Sequence, residues 1–172
     1  MADLLPDPPP PEGNRWPRGP VDYQEFLSVL ENRLDGLERE GILVDSRLSF
    51  RETVHRGRLL DVNLLGWVRT ASGGRLHVNE LLSVLHRPGA GPAVATREYA
   101  YHGRAVLGQG AGQQLFRYDN CHGGLDTLHV HRFDVDGIEA AIEPVAPDQL
   151  PGLAGVIRQA EYLAAYLRQL KA

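Results

Sequence analysis

The chain has 172 residues, 42% hydrophobic and 23% charged, which suits one globular domain large enough to bury a core without staples. A single cysteine excludes an internal disulfide, and a net charge of −4 with a pI near 6.0 excludes a globally basic surface, so any nucleic-acid contact has to be local. No run reaches the roughly 18–20 apolar residues that span a bilayer, and the N-terminus lacks the basic-then-apolar order of a secretory signal, so the expectation is a cytoplasmic protein without membrane contact.

Residues 1–20 hold seven of the twelve prolines, including Pro8 to Pro11. Consecutive prolines lack amide donors and favour extended backbone, which predicts a flexible proline-rich arm ahead of a single domain over 21–172. Segment 22–39 is read as an amphipathic helix. Asp22 is placed to cap it, Glu25 follows at capping-box spacing, Gly41 can stop it, and Tyr23, Phe26, Leu27, Leu30, Leu34 and Leu37 form one apolar stripe. Strands are expected over 43–53, 58–70, 75–86, 94–107, 113–119, 127–133 and 138–143, separated by glycine- and proline-bearing turns. Such short connections make neighbours antiparallel. A last helix is expected with Asp148 as cap, Pro151 near its start, and Leu150, Leu153, Ile157, Ala160, Leu163, Leu167 and Leu170 on one face. The fold class is therefore α+β: a curved antiparallel sheet of about six or seven strands, with an N-terminal and a C-terminal helix covering one face.

The residues with chemistry concentrate between Tyr99 and His131. His129 and His131 point to the same side of a strand, a spacing that serves either a divalent metal or an acid–base pair. In the preceding strand Arg117 and Asp119 share a face. Arg117 offers a planar fork for phosphate or carboxylate, and Asp119 can pair with it or orient a histidine. Asn120 at the strand end suits the satisfaction of loop amides. One strand earlier, Tyr101 and His102 fall on opposite faces, so only one of them can join a common site directly. Glu80 is a further carboxylate, and His122 a further imidazole beside the lone Cys121, itself read as a buried thiol. Phosphate-loop, nucleophile-elbow, zincin and CxxC motifs are absent, and the glycines at 108–112 precede a strand rather than a helix.

The run Tyr99-Ala100-Tyr101-His102, then Arg117-Tyr118-Asp119-Asn120 with His122, then His129-Val130-His131 resembles the TumE-like toxin family over residues 76–131, with Glu80 in register with that family's glutamate. Cys121 and Leu128 stand where the family pattern has proline. The resemblance implies the toxin of a prokaryotic two-component system, with an antitoxin encoded nearby as partner and a nuclease-like activity on RNA or another phosphodiester-bearing target. In that reading His129 and His131 are acid and base, Arg117 holds phosphate, Tyr101, His102 and Asp119 assist, and no cofactor is required. Two alternatives stay open: a metal-dependent enzyme that uses His129 and His131 with His122, His102 or Glu80, and a non-catalytic binding or regulatory protein.

Overall fold

The computed structural model of the chain describes residues 3–8, 20–108, 112–120, 128–146, 149 and 151–172. A two-residue strand β1 (Val21–Asp22) leads into helix α1 (Tyr23–Arg39). A long meander follows: β2 (Leu43–His55), β3 (Arg58–Thr70), β4 (Gly74–Leu85), β5 (Ala93–Ala105), β6 (Gln113–Asp119), β7 (His129–Phe133) and β8 (Glu139–Pro144), with helix α2 (Leu153–Leu170) closing the chain. Spatial order follows chain order from β2 to β8, every pairing is antiparallel, and β1 pairs with β5. The architecture is the expected α+β sheet with two helices. Among the described residues it has eight strands, because β1 adds one that is too short to leave a periodic signal.

The N-terminal helix forms as its sequence dictates. Asp22 Oδ1 accepts from the amides of Gln24 and Glu25 at 2.9 and 3.2 Å, which satisfies two of the orphan donors of the first turn. At the other end Gly41 takes φ +72°, and the amides of Gly41 and Ile42 close back on the carbonyls of Glu38 and Leu37, a glycine-terminated helix stop. The C-terminal helix differs from expectation. It starts at Leu153 with Gly152 as its cap and no side-chain cap bond, while Asp148 and Leu150 lie outside the described residues. Its first turn is held instead by burial of Leu153, Val156 and Ile157 on the sheet, each worth about 1.5–3 kcal/mol. Leu170 is exposed and falls off the stripe.

Both helices lie on one face of the sheet. Leu64, Val68, Leu76, Val78, Leu82, Tyr99, Tyr101, Tyr118 and Val130 point into this core together with the apolar residues of α2. Helix α2 is tied to the C-terminal cap of α1 by a bidentate pair between Arg158 and Glu40. A register shift beside Gly103 and Arg104 puts Leu115 into the core next to Phe116, which interrupts strict alternation along β6. Gly66 at φ +139° lets β2 approach closely: a Cβ there would meet the Arg47 carbonyl at 1.9 Å.

Of the proline-rich arm, residues 9–19 lie outside the described residues. Asp3 to Pro8 is not a free arm. Leu5 is buried, Leu4 bridges to Asp134, the Leu5 amide donates to the Phe133 carbonyl, and Asp7 pairs with Arg132 at 2.6 Å. Leu5, ahead of the polyproline run, is the side chain this stretch buries, while Leu4 stays exposed.

Candidate active site on the helix-free face

Side chains of the opposite face line up in rows set by strand register. One row reads Trp67, His77, His102, Arg117 and His131 across β3 to β7; the next reads Leu65, Asn79, Ala100, Asp119 and His129. Antiparallel pairing thus brings five of the residues singled out in sequence to one surface: His102, Arg117, Asp119, His129 and His131. An open depression of about 590 Å3 lies over all of these but His131, lined by His77, Asn79, His102, Arg117, Asp119 and His129 among others.

The cluster is densely bonded. Arg117 Nε donates to Asp119 Oδ2 at 2.9 Å, and Arg117 Nη2 donates to His131 Nε2 at 2.6 Å. A guanidinium has no acceptor, so His131 Nε2 must be the unprotonated nitrogen. The ring proton then sits on Nδ1, which donates to Glu139 Oε2 at 2.7 Å. His129 Nε2 lies 3.1 Å from Asp119 Oδ1, and the two imidazole centroids are 4.9 Å apart. Access differs sharply. The His131 side chain is 6% exposed with both nitrogens engaged, whereas His129 and Arg117 are 26% and 39% exposed. The two imidazoles expected to act as acid and base therefore differ in access: His131 is enclosed and bonded at both nitrogens, and His129 is the one that reaches the surface.

His102 and His77 face each other across β4 and β5. Burial first, then Arg104 and Arg117, hold the His102 imidazole below its ordinary pKa. Burial and then Arg75 and Arg104 do the same to His77. Both are therefore neutral proton acceptors near pH 7.

Tyr101 contributes to the lining of the depression, but its side chain and that of Glu80 turn away from the histidine–arginine rows. Both sit on the helix-covered face, with Tyr101 1% and Glu80 0% exposed. The Tyr101 hydroxyl donates to Glu80 Oε2 at 2.6 Å, and Thr96 Oγ1 donates to Glu80 Oε1 at 2.5 Å. Burial pushes the phenols of Tyr101 and Tyr99 far above their usual range, so neither serves as a proton donor to solvent. Period-two alternation is the reason: His102 faces out, hence Tyr101 faces in. Asn120 is buried and ties strands together, accepting from the Tyr99 amide at 2.7 Å and donating to the Arg97 carbonyl. His122 and Cys121 lie outside the described residues.

Two residues were missed in the sequence reading. His77 could have been found from its register with His102 once the hairpin between β4 and β5 was assumed. Glu139 left no signal, because the register shift next to Phe133 decides which β8 residue reaches His131.

Asp119, His129 and His131 each offer one ligand atom, all within 4.8 Å of one another, close enough to hold a divalent metal ion. Glu139 on the far nitrogen of His131 is the outer partner that metal-binding imidazoles use. Against this fit, the Arg117 guanidinium already donates to ligand atoms of Asp119 and His131, so an ion there has to displace it. No protein-family model, curated protein or solved structure matches this chain significantly.

Proposed function

We propose that the protein is a metal-independent, histidine-based phosphodiester-cleaving enzyme acting on RNA, and that it serves as the toxin of a toxin–antitoxin pair. The observation that carries the chemical part is Arg117, fixed by Asp119 and His131 in the floor of an open depression with an accessible imidazole on either side. His102 on β5 and His129 on β7 flank it, roughly 12 Å apart at the backbone by strand spacing. A phosphate held on the Arg117 fork would lie between them. His102, neutral near pH 7, is suited to take the proton of the attacking hydroxyl, and His129, oriented by Asp119, to protonate the leaving oxygen. Arg117 then stabilises the charge that builds on the phosphoryl oxygens. The biological half of the proposal rests on the sequence resemblance to TumE-like toxins.

The test is cleavage of a defined transcript by purified protein in excess chelator. Cleavage that His129→Ala and His102→Ala abolish supports the reading; intact RNA at high protein concentration overturns it. Growth arrest on expression, relieved by the product of a neighbouring gene and by His129→Ala, tests the toxin role.

The close approach of Asp119, His129 and His131 favours one second reading, a divalent-metal enzyme. Stoichiometric zinc, manganese, iron or nickel in protein purified without a polyhistidine tag would support it. Metal-free protein with no thermal shift on adding these ions would remove it.

A further inference from the structure

Beside the site, register aligns three arginines directly opposite one another on adjacent strands: Arg69 on β3, Arg75 on β4 and Arg104 on β5. Like charges placed opposite on a sheet destabilise it. The usual remedy is interleaved carboxylates, and here it is nearly missing. Asp45 reaches Arg69 at only 4.0 Å, shared with Arg47 at 3.9 Å, and among the described residues Arg75 and Arg104 make no ion pair at all. The Nε atoms of both Arg75 and Arg104 are buried without a hydrogen-bond partner. Arg75 lies over the Trp67 ring at 4.5 Å. Arg168 at the end of α2 joins Arg69 and Arg75 around a second depression of about 510 Å3. All this stands on a chain with net charge −4, so the basic strip is a local concentration and not a reflection of composition. It adjoins the row that carries His77, His102 and Arg117, two residues further along each strand and on the same face.

We infer that Arg69, Arg75 and Arg104, with Trp67 beside them, form a track for the phosphate backbone of a single-stranded nucleic acid that leads into the Arg117–His129 site. A polyanion supplies the charge the row lacks, and guanidinium groups suit phosphate. An aromatic ring next to a basic strip is the means by which unpaired bases are held without sequence preference. A duplex keeps its base faces stacked and offers nothing to Trp67. The inference rests on the phosphodiester reading for what happens at the end of the track, but binding can be measured apart from turnover.

The experiment is fluorescence anisotropy of the full chain with fluorescein-labelled oligothymidylate of about 20 nucleotides over a salt series. DNA lacks the 2′-hydroxyl nucleophile, so binding is read whether or not the site cleaves. With three phosphates neutralised, log affinity is expected to fall against log salt with a slope of about −2. Arg69→Gln and Arg104→Gln should each weaken binding about 5–10-fold and reduce the slope by about 0.7. Arg69 is exposed and makes only the long Asp45 contact, so its variant keeps the test valid even where substitution of Arg104 perturbs folding. A flat salt response, unchanged variants, or equal affinity for duplex DNA overturns the track. So does a stable dimer, seen by sedimentation, that the oligonucleotide fails to dissociate, since the face is then covered by a second copy. Cleavage of a dinucleoside phosphodiester by wild-type protein separates the two ideas. Cleavage without oligonucleotide binding removes the track and leaves the site; binding without cleavage does the reverse.

Discussion

Arg117 donates to His131 Nε2 at 2.6 Å, and this bond fixes the tautomer of an imidazole that is otherwise sealed from solvent. The same guanidinium holds Asp119 Oδ2, so one planar group locks two neighbours on β6 and β7 and still lines the open depression. Lysine carries its donors on one nitrogen and does not reproduce the planar fork whose Nε and Nη2 make these two bonds. Arg117→Lys is therefore expected to lower kcat/KM for RNA cleavage by about 10²–10³-fold. Arg117→Ala should uncover the ligand atoms of Asp119 and His131, so added zinc should raise its melting temperature by several degrees more than that of wild type. Equal zinc shifts in the two proteins would show that Arg117 does not compete with a metal.

In the proposed reading Glu139 acts through His131. Its carboxylate accepts a hydrogen bond from His131 Nδ1 at 2.7 Å, and its loss leaves the ring free to turn away from Arg117. Glu139→Ala is expected to reduce kcat about 10-fold or more with little change in KM, and Glu139→Gln to recover most of the loss, because its amide oxygen still accepts the proton. Steady-state kinetics on the two variants checks this, and failure of glutamine to rescue would argue against a positioning role.

Acid should weaken both activity and fold. Burial and then neighbouring arginines hold His102 below its ordinary 6.5, and His77 likewise. Below about pH 6.5 the unfolded chain thus binds more protons than the folded one, so stability is intact above that pH and declines as the pH falls toward the folded values. The acid limb of kcat/KM should follow His102 and also lie below 6.5. Urea midpoints from pH 7.5 to 5 test the first statement: His77→Gln with His102→Gln should flatten their decline.

Tyr101 belongs to the core. Removing its hydroxyl deprives the buried Glu80 carboxylate of a donor, so Tyr101→Phe is expected to cost about 1.5–3 kcal/mol of stability. Its kcat at a temperature where it remains folded should stay within about twofold of wild type. A fall of a hundredfold or more would return Tyr101 to the chemistry.

Periodicity was enough to set out the two helices and seven of the strands, since amphipathic spacing and short turns are local properties. It also placed His129 with His131, Arg117 with Asp119, and Tyr101 opposite His102, because alternation along a strand needs no knowledge of its neighbours. Register across strands is not local. Only the tertiary structure decided that Arg117 lies between His102 and His131, that Glu80 pairs with Tyr101 under the helices, and that a shift beside Phe133 delivers Glu139. The two helices bury one face, which turned Tyr101 and Glu80 into core residues and left the histidine–arginine rows facing outward. Alternation fixes which residues share a side, but the packing of α1 and α2 determines which side is the surface.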